Sequence, residues 1–121
     1  MGKTFNFGDG LGHVPAHIHP NGGGWVANSA IVDPTAFVGI KAKVSGTAMV
    51  LENAHVSDTA HVRGNAVVSG HAHIGGKAEI YDRATVGGWA SVRGTAVVGG
   101  FTKVSGEMSL EKGSFAVDNY D

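Results

Sequence analysis

At 121 residues the chain has the length of one domain, and its 20 glycines and 7% aromatic residues leave few large side chains for a conventional core. Nine lysines and arginines nearly balance ten acidic residues, which argues against nucleic acid as a partner. The absence of cysteine excludes disulfides, thiolate zinc sites and a cysteine nucleophile.

The first segment, residues 1–24, precedes the regular part of the sequence. It has one lysine and no long apolar run, so it predicts neither a signal peptide nor a membrane span, and with the lack of cysteine it favours a soluble, cytoplasmic protein. We expect Phe5, Phe7, Leu11 and Val14 to close one end of the fold that follows. His13, His17 and His19 fall in a predicted loop, where they more readily pack or face solvent than bind a metal.

From Val26 onward an aliphatic residue returns at every sixth position. Alanine precedes most of these residues by two positions, and glycine often follows two positions later, as at Gly46 and Gly64. The fifteen aliphatic positions are Val26, Val32, Val38, Val44, Val50, Val56, Val62, Val68, Ile74, Ile80, Val86, Val92, Val98, Val104 and Leu110.

The period of six determines the type of structure. In Ala-x-Val the alanine and the valine face the same side of a strand, and glycine permits a tight corner after it. A helix would need apolar residues three and four apart, and a hairpin stack would need the pattern to reverse. A coiled, parallel β-solenoid with a narrow interior of alanine and valine remains.

The Val-x-Gly-x-Ala-x repeat from Trp25 to about Leu110 resembles the hexapeptide-repeat proteins, and "GGWVANSAIVDPTAFVG" is most similar to phage-type members of that family. The resemblance implies an all-β, left-handed parallel β-helix of triangular section with three hexads per coil, commonly assembled as a homotrimer. Fifteen hexads then give about five coils over 25–110. Residues 1–24 and 111–121 become capping segments, the second with Phe115, Val117 and Tyr120 as its apolar cover.

With three hexads per coil, residues eighteen apart lie above one another on the outside of the solenoid. One outward column is Phe37, His55, His73, Ser91 and Ser109. The second column is Ile31, Met49, Val67, Thr85 and Lys103, and the third is Trp25, Lys43, His61, Glu79 and Val97. Because the second column begins with three apolar residues, we expect it to form the contact between subunits.

Two clusters are candidate ligand-binding sites. His55, His71, His73 and Trp89 gather on one edge of the solenoid, whereas Arg63, Tyr81 and Arg83, together with Phe101, gather on another. In a trimer the two edges of adjacent chains could face each other. The arginines and aromatic rings are then either anchors of the interface or the lining of a cleft for a small, anionic, nucleotide-like ligand.

Two catalytic interpretations are weaker. The resemblance includes γ-type carbonic anhydrases, which hold zinc with histidines that include a pair five residues apart. No two histidines here have that spacing, so we predict no metal site. It also includes acyl-coenzyme A dependent acyltransferases, in which His71 or His73 would act as general base. Those enzymes usually interrupt the repeat with a long loop, and this repeat is unbroken.

The sequence therefore predicts a non-catalytic, homotrimeric binding or structural module. A trap for a small anion and a small acyltransferase are the alternatives, and the sequence names no cofactor. Neither nucleic acid nor a membrane is an expected partner.

Overall fold

The computed structural model describes residues 3–7 and 12–117, the last three as backbone only. These residues form strands and turns without a helix, and the strands stack into a parallel β-solenoid of about five turns. The strands are β1 (Lys3–Asn6), β2 (His13–Ile18), β3 (Trp25–Ala27), β4 (Ile31–Val32), β5 (Phe37–Val38), β6 (Lys43–Val44), β7 (Met49–Val50), β8 (His55–Val56), β9 (His61–Val62), β10 (Val67–Val68), β11 (His73–Ile74), β12 (Glu79–Ile80), β13 (Thr85–Val86), β14 (Ser91–Val92), β15 (Val97–Gly100), β16 (Lys103–Val104), β17 (Ser109–Leu110) and β18 (Ser114–Val117).

Three sheets form the sides of the solenoid. Sheet I runs β1-β2-β3-β6-β9-β12-β15-β18, sheet II runs β4-β7-β10-β13-β16, and sheet III runs β5-β8-β11-β14-β17. From β3 to β17 the neighbours along the solenoid are parallel and in register eighteen residues apart, as Trp25 is with Lys43. The predicted β-helix and its three outward columns are therefore confirmed, while the left-handed winding stays a prediction from the resemblance.

The interior contains one alanine and one larger aliphatic residue from almost every hexad. Val68, for example, is 0% exposed, and it lies beside Val50 and Val86 on the neighbouring strands. Alternation along each short strand turns these residues inward and leaves the residue between them outside. Because the interior is narrow, small side chains fill it, which explains the low aromatic content.

The corners bring the backbones of successive coils into close contact. Most corners place a glycine at positive φ, but Glu52, Asp58 and Asp82 adopt the same conformation, with φ of 61°, 56° and 56°. Each of these carboxylates accepts a hydrogen bond from the backbone N–H of the corner glycine one coil later, such as that of Gly76 for Asp58 at 2.9 Å. These bonds offset part of the strain that a left-handed conformation causes in a residue other than glycine.

The N-terminal hairpin of β1 and β2 extends sheet I beyond β3, and its aromatic side chains pack on outward residues of β3 and β9. Strand β1 pairs antiparallel with β2, and β2 pairs antiparallel with β3. The ring of Phe5 stacks on Trp25 with centroids 4.8 Å apart, and Phe7, 2% exposed, lies against His61 at 6.3 Å. Phe5, Phe7 and Val14 thus belong to a small second core on the flank of the solenoid, separate from the interior column that they were expected to close.

The loop 19–24 closes the exposed edge of β5 instead. His19 is buried, and its Nε2 lies 2.8 Å from the carbonyl oxygen of Ala36. The N–H of Gly24 donates to the carbonyl oxygen of Val38, and the N–H of Val38 donates to that of Asn21. Backbone groups that would otherwise lack partners at the end of sheet III are therefore satisfied.

The prediction that three N-terminal histidines share a loop is wrong for two of them. His13 and His17 lie on β2 and are exposed, and His17 Nδ1 is 2.7 Å from the Asn28 side-chain oxygen. The pairing of β2 with both β1 and β3 provides the backbone hydrogen bonds that keep this segment extended.

At the other end, β18 pairs parallel with β15 and adds a strand to sheet I. Leu11, Tyr120 and the side chains of Phe115 and Val117, all predicted to cover the ends, lie outside the described part of the structure. Within the described residues there is no helix with the length and apolar character needed to cross a membrane.

Candidate functional site

A column of stacked rings occupies the outer face of sheet III. Phe37, His55 and His73 lie on the adjacent strands β5, β8 and β11. Their ring centroids are 4.3 Å apart for the first pair and 4.6 Å for the second, and both pairs are close to parallel. The spacing of parallel strands, about 4.8 Å, brings rings that are eighteen residues apart within stacking distance.

A groove of about 310 Å³ opens where the ring column ends, at the corner between sheets III and I. Its lining residues are Ser57, Asp58, His73, Gly75, Ser91 and Arg93. Gly75 is the floor, because a Cβ atom there would lie 3.2 Å from Ser57 Oγ and 3.3 Å from Asp58 Oδ2. The groove therefore depends on a glycine between two polar side chains.

A second ring pair lies at the corner between sheets II and III. The imidazole of His71 stacks on the indole of Trp89 with centroids 4.0 Å apart and an angle of 10° between the planes. Trp89 is 63% exposed, which is unusual for so large an apolar side chain. The pair forms a flat aromatic surface directed at solvent.

Arginines and aromatic rings pair at the third corner, between sheets I and II. The Arg63 guanidinium lies 5.1 Å from the centroid of Tyr81 and 3.4 Å from a Glu79 carboxylate oxygen. One coil later Arg83 lies 5.7 Å from the centroid of Phe101. Both distances are within the range of cation–π attraction.

The structure divides the predicted site into three parts. His55 and His73 belong to the ring column, His71 and Trp89 to a separate corner stack, and the Arg63, Tyr81 and Arg83 cluster to the opposite edge of sheet II. Within a single chain the histidines and the arginines of this prediction are not brought together, since one whole sheet separates their corners.

Sequence reasoning missed the groove beside His73. Arg93, Ser57 and Asp58 were not among the candidate residues, although the eighteen-residue spacing places Ser57, Gly75 and Arg93 in one corner column. A glycine between two polar residues in such a column was the available signal.

Metal ligation has little support in the described residues. They contain no group of three histidine and acidic side chains arranged to hold a metal ion. Two of the histidines have protein partners instead: His61 Nε2 is 2.8 Å from Ser45 Oγ, and His19 contacts the Ala36 carbonyl oxygen.

Burial lowers the pKa of His55 below its ordinary value of 6.5, and charge on neighbouring His73 lowers it further. The folded chain thus binds this proton less readily than the unfolded chain. The contribution of neutral His55 to the free energy of unfolding is fully present above pH 6.5, the pKa in the unfolded chain. It is lost as the pH falls from 6.5 towards the lower pKa of the folded chain. We expect the melting temperature to fall between pH 7.5 and 5, and to fall less in His55→Gln. Exposed His13 gives the control: His13→Gln should keep the full wild-type decrease, and equal slopes in all three proteins would contradict the assignment.

No protein-family model, curated protein or solved structure matches this chain.

Proposed function

We propose that this chain is a non-catalytic β-helix module that assembles into a homotrimer through the outer face of sheet II. The observation that carries the proposal is a ladder of apolar side chains on adjacent strands, Ile31, Met49 and Val67, in direct register. Ile31 is 55% exposed in the single chain. Three apolar side chains in line on the outer face of one sheet are typical of a protein–protein contact.

The corners on either side of sheet II have opposite charge, which supports a ring. The corner between sheets II and III carries Asp33, Glu52 and Glu107 and no lysine or arginine, whereas the corner between sheets I and II carries Arg63 and Arg83 against Asp82. In a closed ring each copy presents one edge of its contact face to the opposite edge of the next copy. The acidic edge of one copy then meets the basic edge of the next, and this attraction favours a cyclic trimer in which the chains are arranged in that way.

The uninterrupted repeat favours a scaffold over an acyltransferase. Between residues 25 and 110 one strand follows another at six-residue spacing, and no inserted loop leaves the solenoid. An acyltransferase has to exclude water from its reacting groups, and no inserted loop between residues 25 and 110 is present to cover them. His71 lies at an exposed corner and His73 lies at the rim of an open groove, so no described part of the same chain shields either imidazole from water.

The test is a pair of substitutions on the ladder. Met49→Lys with Val67→Lys places two like charges at the centre of the proposed contact while leaving the interior unchanged, so we expect sedimentation velocity to show monomers where the wild type shows trimers. The matched control is Ser91→Lys with Ser109→Lys, at outward positions of adjacent strands of sheet III. The control should remain trimeric, and circular dichroism should report the same fold for all three proteins. An unchanged oligomer in the ladder variant would contradict the contact.

A trap for a small anionic ligand at the clefts between subunits is the second candidate. The flat, exposed pair of His71 and Trp89 favours it. In the proposed cyclic trimer this surface would face the Arg63 and Arg83 edge of the next copy. Such a cleft would exist only in the trimer. Nucleotide binding there should therefore disappear in His71→Ala and equally in the monomeric ladder variant.

A further inference from the structure

The ring column on sheet III is interrupted at its fourth position. Phe37, His55 and His73 stack at almost the strand spacing, and the next residue in register is Ser91. One face of the His73 ring lies on His55. The other face is directed towards Ser91, whose side chain is too small to cover an imidazole, and this region belongs to the groove.

The groove supplies a cation beside this vacant ring position. Arg93 lines it and also forms an ion pair with Glu111 at 3.0 Å, in which the side chains are 61% and 65% exposed. An ion pair this exposed contributes little free energy, so the guanidinium can exchange Glu111 for a carboxylate or phosphate of a ligand.

The opposite wall limits the charge that the groove accepts. Asp58 is fixed there by the hydrogen bond from the Gly76 N–H, so its negative charge stays close to the groove. A ligand with a second anionic group on that side would be repelled. The Ser91 hydroxyl is available as a neutral donor or acceptor, whereas the Ser57 hydroxyl donates to the Ile74 carbonyl oxygen at 3.4 Å and is available as an acceptor.

We propose that this groove binds a small planar aromatic or heteroaromatic ligand with one anionic group, whose ring takes the fourth position of the Phe37–His55–His73 column. The anionic group pairs with Arg93, and the ring stacks on the uncovered face of His73. A volume of about 310 Å³ fits one or two fused rings with a short substituent.

Ligand binding in this groove would be a function in addition to the proposed scaffold role, and it does not depend on the trimer. It lies at the corner between sheets III and I, across the triangle from sheet II. Assembly through sheet II leaves it open to solvent, and a single chain supplies all of its lining residues.

Titration calorimetry with matched probes tests the proposal. Pyridine-3-carboxylate and adenosine monophosphate carry a ring with a carboxylate or a phosphate, acetate and ribose 5-phosphate carry the anion without an aromatic ring, and pyridine-3-carboxamide carries the ring without the charge. We expect at least one of the first two to bind, and its ring-free counterpart to bind at least about tenfold more weakly, because it cannot stack on the imidazole. Which of the two binds identifies the anionic group.

Substitutions distinguish the groove from the rest of the surface. Ser91→Phe fills the fourth position with the chain's own ring and should abolish binding, whereas Ser109→Phe, one rung further along the column, should leave the affinity unchanged. Arg93→Gln should weaken the anionic probe at least about tenfold without affecting pyridine-3-carboxamide.

Three results would overturn the proposal: no binding of either ring-bearing anion, equal binding of ring and ring-free probes, or full affinity in Ser91→Phe. The Met49→Lys/Val67→Lys variant separates it from the trimer hypothesis, because a monomer that still binds the probe supports the groove whatever the oligomeric state of the wild type.

Discussion

Val68→Asp is expected to destabilise the domain by about 4 kcal/mol or more. Val68 is 0% exposed at the middle of the solenoid, and its nearest interior neighbours along the sheet are Val50 and Val86. A carboxylate there has neither water nor a hydrogen-bond donor, and an unpaired buried charge costs about 4 kcal/mol or more. A domain of this size has a total stability of about 5–15 kcal/mol, so the loss is a large fraction of it.

Thr85→Asp provides the comparison, because Thr85 is the outward residue of the neighbouring strand β13. That carboxylate reaches solvent, and we expect a loss below about 1 kcal/mol. Urea unfolding followed by circular dichroism measures both variants. A Val68→Asp protein that unfolds at the same urea concentration as Thr85→Asp would show that the interior column is assigned incorrectly.

Gly24→Ala is expected to release the loop that closes the N-terminal end of sheet III. A Cβ atom at this buried position would overlap the carbonyl oxygen of Gly39 and would lie 2.5 Å from a methyl group of Val38. Relief of the overlap requires the loop to move, which breaks the hydrogen bond from the Gly24 N–H to the Val38 carbonyl oxygen. Overpacking and the lost bond together should cost about 2–4 kcal/mol.

The adjacent glycine separates this crowding from backbone strain. Gly23 has φ of 85°, and a Cβ atom there would have its nearest neighbour at 3.9 Å, so Gly23→Ala tests conformation alone. We expect it to cost about 1–2 kcal/mol. Hydrogen exchange should show faster exchange of the Val38 amide in Gly24→Ala than in Gly23→Ala. The reverse order would contradict the role of the loop.

The solenoid was predictable because a single local rule repeats through it. In each hexad the alanine and the aliphatic residue two positions later, such as Ala66 and Val68, face the same side of the strand, and fifteen successive hexads impose the same register. Once the eighteen-residue coil is known, the neighbours of any outward side chain follow, which is why the stack of His55 and His73 could be anticipated.

The irregular parts could not be predicted in this way. Phe5 and Phe7 lie outside the repeat, and their position on Trp25 and His61 depends on how the β1–β2 hairpin folds back on sheet I. Asp58 and Asp82 occupy corner positions where glycine is usual, and their hydrogen bonds to the next coil are visible only in three dimensions.

The candidate site shows the same division. The rings that form columns could be identified from the sequence. The groove, in contrast, exists because Gly75 has no side chain and Ser91 has a short one. Small residues indicate a cavity only when the side chains around them are known. The position of Arg93 in the sequence therefore does not by itself indicate a ligand-binding residue.

Native mass spectrometry of the unmodified protein tests the central claim most directly, because it reports how many chains associate through a surface that a single chain leaves exposed. The ladder of Ile31, Met49 and Val67, bordered by one acidic and one basic corner, predicts a dominant species of three chains that becomes a single chain in the Met49→Lys/Val67→Lys variant. A wild-type protein that is a single chain at micromolar concentration would contradict the trimer and, with it, the proposed function.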